Sequence, residues 1–223
     1  MFVFSPSNLS QYRTCPLRFA GQSIWKDIKW KSTAQKSRGT LVHESLEAAL
    51  RDGKDELPSD IDVYFTRRCV ENMRDAVSNG GQLFVEHSMC INQKLEPVGW
   101  WDNTALVRAK ADAVLLHAGD TEATVIDWKT GKKWDEDAFQ LRLETLLVLA
   151  THRRPVVHYA FHYVDQGESV TGTVDYRNGI GPVKDITALM KEAKVAIRDG
   201  YFPPKRNKFC SWCDYHKTPK CNI

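Results

Sequence analysis

The apolar positions of this chain fall into a succession of distinct periods. Near the N-terminus, Ser7 is placed to cap a short helix beginning at Asn8, and Pro16 to open a second one. From Gln35 to Arg51 the pattern is helical, with Leu46 and Leu50 on the same face as His43. Ile61, Phe65, Cys69, Met73 and Val77 recur four apart and predict another long helix, ended by Gly80-Gly81, in which Cys69 reads as core. Strict alternation from Leu83 to Ile91 predicts a strand, which leaves Cys90 as a half-buried strand residue. Two more strands are expected at Leu106–Leu116 and Thr124–Lys129, separated by a turn at His117–Asp120. The apolar run from Phe139 to Ala150 predicts a buried helix, and Tyr159–Val164 with Val170–Tyr176 a strand pair around the Asp165–Gly167 turn. Val183, Ile186, Leu189, Met190, Ala193 and Ile197 mark a last amphipathic helix. Helices, strands around a central helix, then a helix and a cysteine-rich tail predict an α/β fold with a mixed central sheet flanked by helices.

Composition narrows the function classes. A chain of 223 residues, 42% hydrophobic and 26% charged, is long enough for one well-buried core and too apolar for dominant disorder. No apolar run approaches the ~18 residues a membrane span needs, so no membrane partner is expected. The segment Met1–Asn8 shows no basic stretch ahead of a hydrophobic one, and a cytoplasmic location is expected. A formal charge of +3 permits nucleic-acid binding without arguing for it. Basic residues cluster at Arg13 with Arg18, Lys26–Lys31, Lys132-Lys133 and Lys205–Lys208, each readable also as solvated surface. Among six cysteines, Cys210 and Cys213 form a C-x-x-C pair, Cys221 follows, and Cys15 stands at the opposite end. In a cytosolic protein such a cluster points to metal rather than to disulfides.

The segment Val125-Ile126-Asp127-Trp128-Lys129-Thr130-Gly131-Lys132 carries the clearest chemistry. On a strand Asp127 and Lys129 share a face, while Trp128 points away. As a plain salt bridge the pair gains little if exposed and costs desolvation if buried. Asp112, in Lys110-Ala111-Asp112-Ala113-Val114, lies on the preceding strand, and a hairpin would bring it beside Asp127. Two close carboxylates repel unless a cation neutralises them, and a hard divalent ion suits oxygen donors. Two unconnected surface carboxylates are the other reading of these residues.

This spacing resembles the PD-(D/E)xK nuclease motif, and the flanking segments sharpen the likeness. Ser7-Asn8-Leu9-Ser10-Gln11-Tyr12-Arg13-Thr14-Cys15-Pro16-Leu17-Arg18-Phe19 resembles the N-terminal signature of RecB-type exonucleases that carry an iron–sulfur cluster. Gly39-Thr40-Leu41-Val42-His43-Glu44 resembles their G-x-x-x-H motif, and Phe209-Cys210-Ser211-Trp212-Cys213 their C-terminal cysteine segment. Gln140-Leu141-Arg142-Leu143-Glu144 matches the Gln of Q-x-x-x-Y but has Glu144 where that branch usually has Tyr. CRISPR-associated iron–sulfur nucleases and AddB-type nuclease domains belong to the same branch.

The resemblance implies a restriction-endonuclease-like core and one nuclease domain over 1–223, with 35–200 as its catalytic core. Residues 1–30 and 205–223 would form a cluster-binding appendage that ties the two ends together. It implies that His43, Asp112, Asp127 and the Trp128 carbonyl hold Mg²⁺ or Mn²⁺, whereas by its helix face alone His43 reads as a core histidine. Asp112, Asp127, Lys129 and Gln140 would be the catalytic set. Glu86 is an auxiliary acidic residue or a solvated strand carboxylate. Cys15, Cys210, Cys213 and Cys221 would hold a [4Fe–4S] cluster, with structural Zn²⁺ as the alternative. The implied activity is that of a metal-dependent DNA exonuclease hydrolysing phosphodiester bonds at single-stranded ends, in recombination, repair, phage replication or CRISPR adaptation, where recombination or CRISPR machinery could supply protein partners. Trp25, Trp30, Trp100 and Trp101, interleaved with Lys and Arg, are available to stack bases or to fill the core. Two rival classes are a non-catalytic DNA-end-binding subunit and a zinc-ribbon-like interaction protein. The presence of Asp112, Asp127 and Lys129 together favours the enzyme.

Overall fold

A computed structural model describes residues 2–28, 34–54, 56–133, 138–221 and 223, so Trp30 lies outside the described residues. The helices are α1 (Pro6–Thr14), α2 (Pro16–Phe19), α3 (Ala34–Asp52), α4 (Val63–Ser78), α5 (Ala138–His152) and α6 (Lys184–Asp199). The strands are β1 (Gln82–Asn92), β2 (Ala105–Leu116), β3 (Glu122–Lys129), β4 (Val156–Tyr163) and β5 (Glu168–Asp175). They form one sheet in sequence order. All neighbours are antiparallel except β3 and β4, which run parallel and are joined by the crossover through α5. This is the mixed, helix-flanked α/β sheet that the periodicity predicts.

Two compact units make up the chain: residues 1–3 with 33–183, and residues 4–32 with 184–223. The first holds the sheet with α3, α4 and α5. Val42, Leu46 and Ala49 of α3 and Val70 and Met73 of α4 pack with Ala113, Ile126, Trp128 and Ala160 of the sheet. Helix α5 is apolar nearly all round, burying Phe139, Leu141, Leu143, Leu146, Leu147 and Val148, as a crossover helix against a sheet must. The second unit holds α1, α2, a π-helical turn at Ala20–Ile24, α6 and the C-terminal segment. Tyr12 packs edge-on against Phe19 at 5.4 Å and donates its hydroxyl to Glu192 of α6.

Two local expectations need correction. Ser5, not Ser7, caps α1: its hydroxyl accepts from Asn8 N–H while the Asn8 side chain accepts from Ser5 N–H. Pro6 at the first helical position sets that start, since its ring fixes φ and it has no N–H to lose. In α4 the buried face is Thr66, Val70 and Met73, whereas Val77 is 40% exposed. A line of residues four apart rotates by about 40° per step on a helix of 3.6 residues per turn, so a long one leaves the core.

A polar knot fixes the chain just beyond β3. The Arg38 guanidinium grips Asp165 with two nitrogens at 2.8 and 3.0 Å and also donates to the Asp60 carbonyl at 2.9 Å. Asp165 in turn accepts the Gly131 N–H at 2.7 Å, and the Arg38 contact holds its carboxyl below the usual range. Gly131 sits at φ +90°, a conformation that favours glycine. Arg38→Lys keeps the charge and loses the planar fork, so it should cost about 1–3 kcal/mol in a urea titration. A variant as stable as the wild type would show that the knot is ornamental.

Candidate active site

The two carboxylates arise where two strands part. Strands β2 and β3 pair from Leu116↔Ala123 to Ala113↔Ile126 and no further, so Asp112 and Asp127 stand one residue past the last rung. Asp112 fills the opening: its Oδ2 accepts the Trp128 N–H at 2.7 Å and its Oδ1 lies 3.2 Å from His43 Nδ1. Trp128 itself is 2% exposed in the α3–α4 core, which turns Asp127 and Lys129 the other way, as strand alternation requires.

Helix α3 brings His43 to this point through Gly39, one turn earlier. A Cβ on Gly39 would lie 3.2 Å from Thr130 Oγ1, so the missing side chain lets the helix approach the end of β3. Helix α5 supplies the other side. Gln140 Nε2 donates to Asp127 Oδ1 at 2.6 Å, and Gln140 Oε1 accepts from Lys129 Nζ at 3.3 Å. Lys129 Nζ also lies 2.8 Å from Asp127 Oδ2 and 5.0 Å from the centre of the Phe161 ring. Asp127, Lys129 and Gln140 therefore form a closed triangle.

Two acidic side chains enlarge the site beyond this set. Glu86 lies across β1 from Asp112 between the paired residues Val85↔Ala113 and His87↔Ala111, and has φ +54°. That left-handed conformation is costly for a residue with a Cβ, so Glu86 is held there by its surroundings. It brings a Glu86 oxygen, a His43 nitrogen and an Asp112 oxygen within 4.8 Å of one another. Glu86 also pairs with Lys110. Glu144, one turn after Gln140, accepts from Gln140 Nε2 at 3.1 Å and is 1% exposed, with its Oε2 buried and without a hydrogen-bond partner among the described residues. Its i, i+4 relation to Gln140 was readable in the sequence, but the burial of its carboxyl was not.

Charge is under tension here. Burial pushes the Asp127 carboxyl up to about 6, against the pull of Lys129 and with a further push from Asp112. Burial and then the neighbouring Asp127 raise Glu144 well above the ordinary range. For His43, burial favours the neutral ring, but the hydrogen bond and charge of Asp112 outweigh it and raise its pKa. An imidazole and two carboxylates converging on one point form a donor set that suits a divalent cation.

The sequence profile of the PD-(D/E)XK nuclease superfamily matches residues 3–218. The chain belongs to the PD-(D/E)XK nuclease superfamily. Members of this superfamily are metal-dependent nucleases, and the convergence of His43, Glu86 and Asp112 fits a metal site. No curated protein matches the chain. A solved structure titled "Crystal structure of SSO0001" aligns with a TM-score of 0.52 and 16% identity, covering 96% of this chain and 83% of that one. That likeness is one of fold. No described helix is long and apolar enough to cross a membrane.

Four of the six cysteines lie in the second unit. Cys15, Cys210, Cys213 and Cys221 line one pocket, together with Arg18, Lys205 and His216. Cys15 Sγ accepts the Lys205 N–H at 3.4 Å, and Cys210 Sγ accepts the Asn207 N–H at 3.2 Å. Gly21 makes room beside them: a Cβ there would meet the Tyr215 ring at 2.7 Å. Cys69 and Cys90 lie elsewhere, Cys69 against the α3–α4 core and Cys90 buried in β1.

Proposed function

We propose that this protein is a metal-dependent DNA exonuclease of the RecB-like branch that acts on single-stranded ends. The observation that carries the reading is the triangle of Asp127, Lys129 and Gln140 set against Asp112 and His43. His43, Asp112 and Asp127, with Glu86 and the Trp128 carbonyl beside them, would hold Mg²⁺ or Mn²⁺. Such an ion supplies a water of lowered pKa and neutralises charge on the phosphate. Lys129 offers an ammonium that orients the attacking water and stabilises the charge building on phosphate oxygens. Gln140 holds that ammonium by its carbonyl and Asp127 by its amide, and so fixes both without adding charge. Glu144 anchors the same amide from the other side.

The four terminal cysteines would hold a [4Fe–4S] cluster. Four thiols on one pocket with backbone N–H groups aimed at two sulfurs suit thiolate-bound metal, because those bonds spread the negative charge. Closing so long a loop would add roughly 4–5 kcal/mol of stability in simple chain-entropy models. The role is then structural, in a cytoplasmic protein of DNA recombination, repair, phage replication or CRISPR adaptation.

The test uses anaerobically purified protein with end-labelled linear and circular single-stranded DNA, in Mn²⁺ or Mg²⁺ and in EDTA. Linear strands should be degraded from their ends, circles should survive, and EDTA should stop the reaction. Cut circles would overturn the exonuclease assignment. Iron and acid-labile sulfide should be found with the protein, and zinc in their place would overturn the cluster.

A further inference from the structure

We propose that the strand leaves the catalytic carboxylates along the open face of β2 and stacks a base on Trp101, some two nucleotides away; this rests on the nuclease reading above. Along β2, Asp112, Lys110 and Arg108 occupy alternate positions and are half-buried or exposed, whereas Ala109 and Ala111 between them are buried. Alternate residues share one face, so the two cations and the carboxylate form a straight row. At about 3.3 Å per residue, Lys110 lies ~7 Å and Arg108 ~13 Å along the strand from Asp112. Those steps are on the order of one and two nucleotides of an extended single strand. Lys110 already touches the site through Glu86.

The far end of the row is an aromatic platform. The Arg108 guanidinium lies 5.2 Å from the ring centres of both Trp100 and Trp101. These tryptophans sit at the middle of a turn closed by the Asp102 N–H on the Gly99 carbonyl at 3.0 Å. Asp102 then accepts from Thr104 N–H and hydroxyl at 2.7 and 2.6 Å, which fixes the turn's exit. Trp100 is half-buried, but Trp101 is 85% exposed. A rigidly presented, solvent-facing indole backed by a guanidinium is a stacking surface for an unpaired base. A duplex keeps its bases stacked on each other and offers such a ring only its end. A protein partner would have no use for cations spaced in line with the catalytic carboxylates.

The experiment measures binding of fluorescein-labelled oligothymidylates of two, four and eight nucleotides in EDTA, where no cleavage occurs. Wild type, Trp101→Ala, Trp101→Phe, Arg108→Gln and Lys129→Ala are compared, with a duplex measured beside the single strands and each variant checked for its melting transition. Wild type should gain affinity between two and four nucleotides, and Trp101→Ala should lose about 5- to 100-fold of that gain. Trp101→Phe should keep most of it. Arg108→Gln should weaken all the longer strands alike and lower the salt slope by about one. Trp101→Ala binding every length as wild type does, or losing duplex affinity equally, overturns the proposal. Loss of self-association with strand binding intact overturns it too, and assigns Trp101 to a protein interface. The nuclease reading fails separately: Lys129→Ala that still cleaves in Mn²⁺ refutes the active site, while the length dependence in EDTA stands or falls without chemistry.

Discussion

Asp112→Ala and Lys129→Ala should each lower DNA cleavage by at least about 10²–10³-fold while the protein still folds. Asp112 presents one oxygen toward His43 and the other to the Trp128 N–H, so its loss both breaks the donor set and releases the end of β3. The structural part of that loss is about 1–3 kcal/mol, the cost of leaving the N–H of a buried residue unpaired. Lys129 meets Asp127, Gln140 and the Phe161 ring at this site, and none of the three needs its ammonium to stay packed. Its removal therefore acts on the reaction and not on the core. Rates in Mn²⁺ and Mg²⁺, beside melting curves by circular dichroism, make the comparison. Either variant, folded and cleaving at the wild-type rate, would place the chemistry elsewhere.

The second large effect is on stability. The metal-free site should oppose folding increasingly as pH rises, and a divalent cation should reverse this. In the folded chain Asp127 and Glu144 have raised pKa values, so between pH ~4 and at least 6 they bind more protons than they do unfolded. Stability changes with pH in proportion to protons bound unfolded minus folded, a negative quantity here, so this contribution falls as pH rises. The raised His43 acts in the same sense, stabilising at low pH and fading as pH passes its folded value. Buried neutral histidines work against this trend: His152 and His162 are lowered to about 4 by burial, and their contribution grows as pH rises. A difference measurement removes them. Asp127→Asn should be more stable than wild type by about 1–3 kcal/mol at pH 7.5 without metal, and nearly equal to it at pH 4.5. Millimolar Mn²⁺ should raise the melting temperature of wild type at pH 7.5 more than at pH 5, and that of the variant little at either. A wild-type advantage at pH 7.5 in EDTA would contradict the assigned tension.

Much of this arrangement could be read from the chain before folding. The sheet was legible because alternation in β1 and β2 and the apolar crossover helix α5 each carry a strong period. The approach of Asp112 to Asp127 was legible because strand pairing follows from two patterned segments and one short turn. Glu86 was only half legible: polarity marks a carboxylate, but nothing in the letters encodes a φ of +54° at that residue. Glu144 stood out as a departure from Q-x-x-x-Y, yet a glutamate on a helix reads as solvated until the neighbouring sheet is known. The Arg38–Asp165 grip joins residues far apart in the chain, which periodicity does not connect. The Ser7 cap and the α4 stripe failed for local reasons, the first because Pro6 dictated the start and the second because a four-residue spacing drifts around a helix.

The parallel pair β3–β4 has a consequence for the order in which the site can assemble. Asp112 and Asp127 meet through an antiparallel hairpin with a short turn, the kind of closure that forms early because little chain entropy is spent on it. Gln140 and Glu144 arrive on α5, whose position is fixed only when β4 has docked beside β3. A partly folded chain thus holds its acids together before their amide tie is in place. The step that lays α5 against the sheet is thus the one that completes the triangle, because only then does Gln140 tie Asp127 to Lys129.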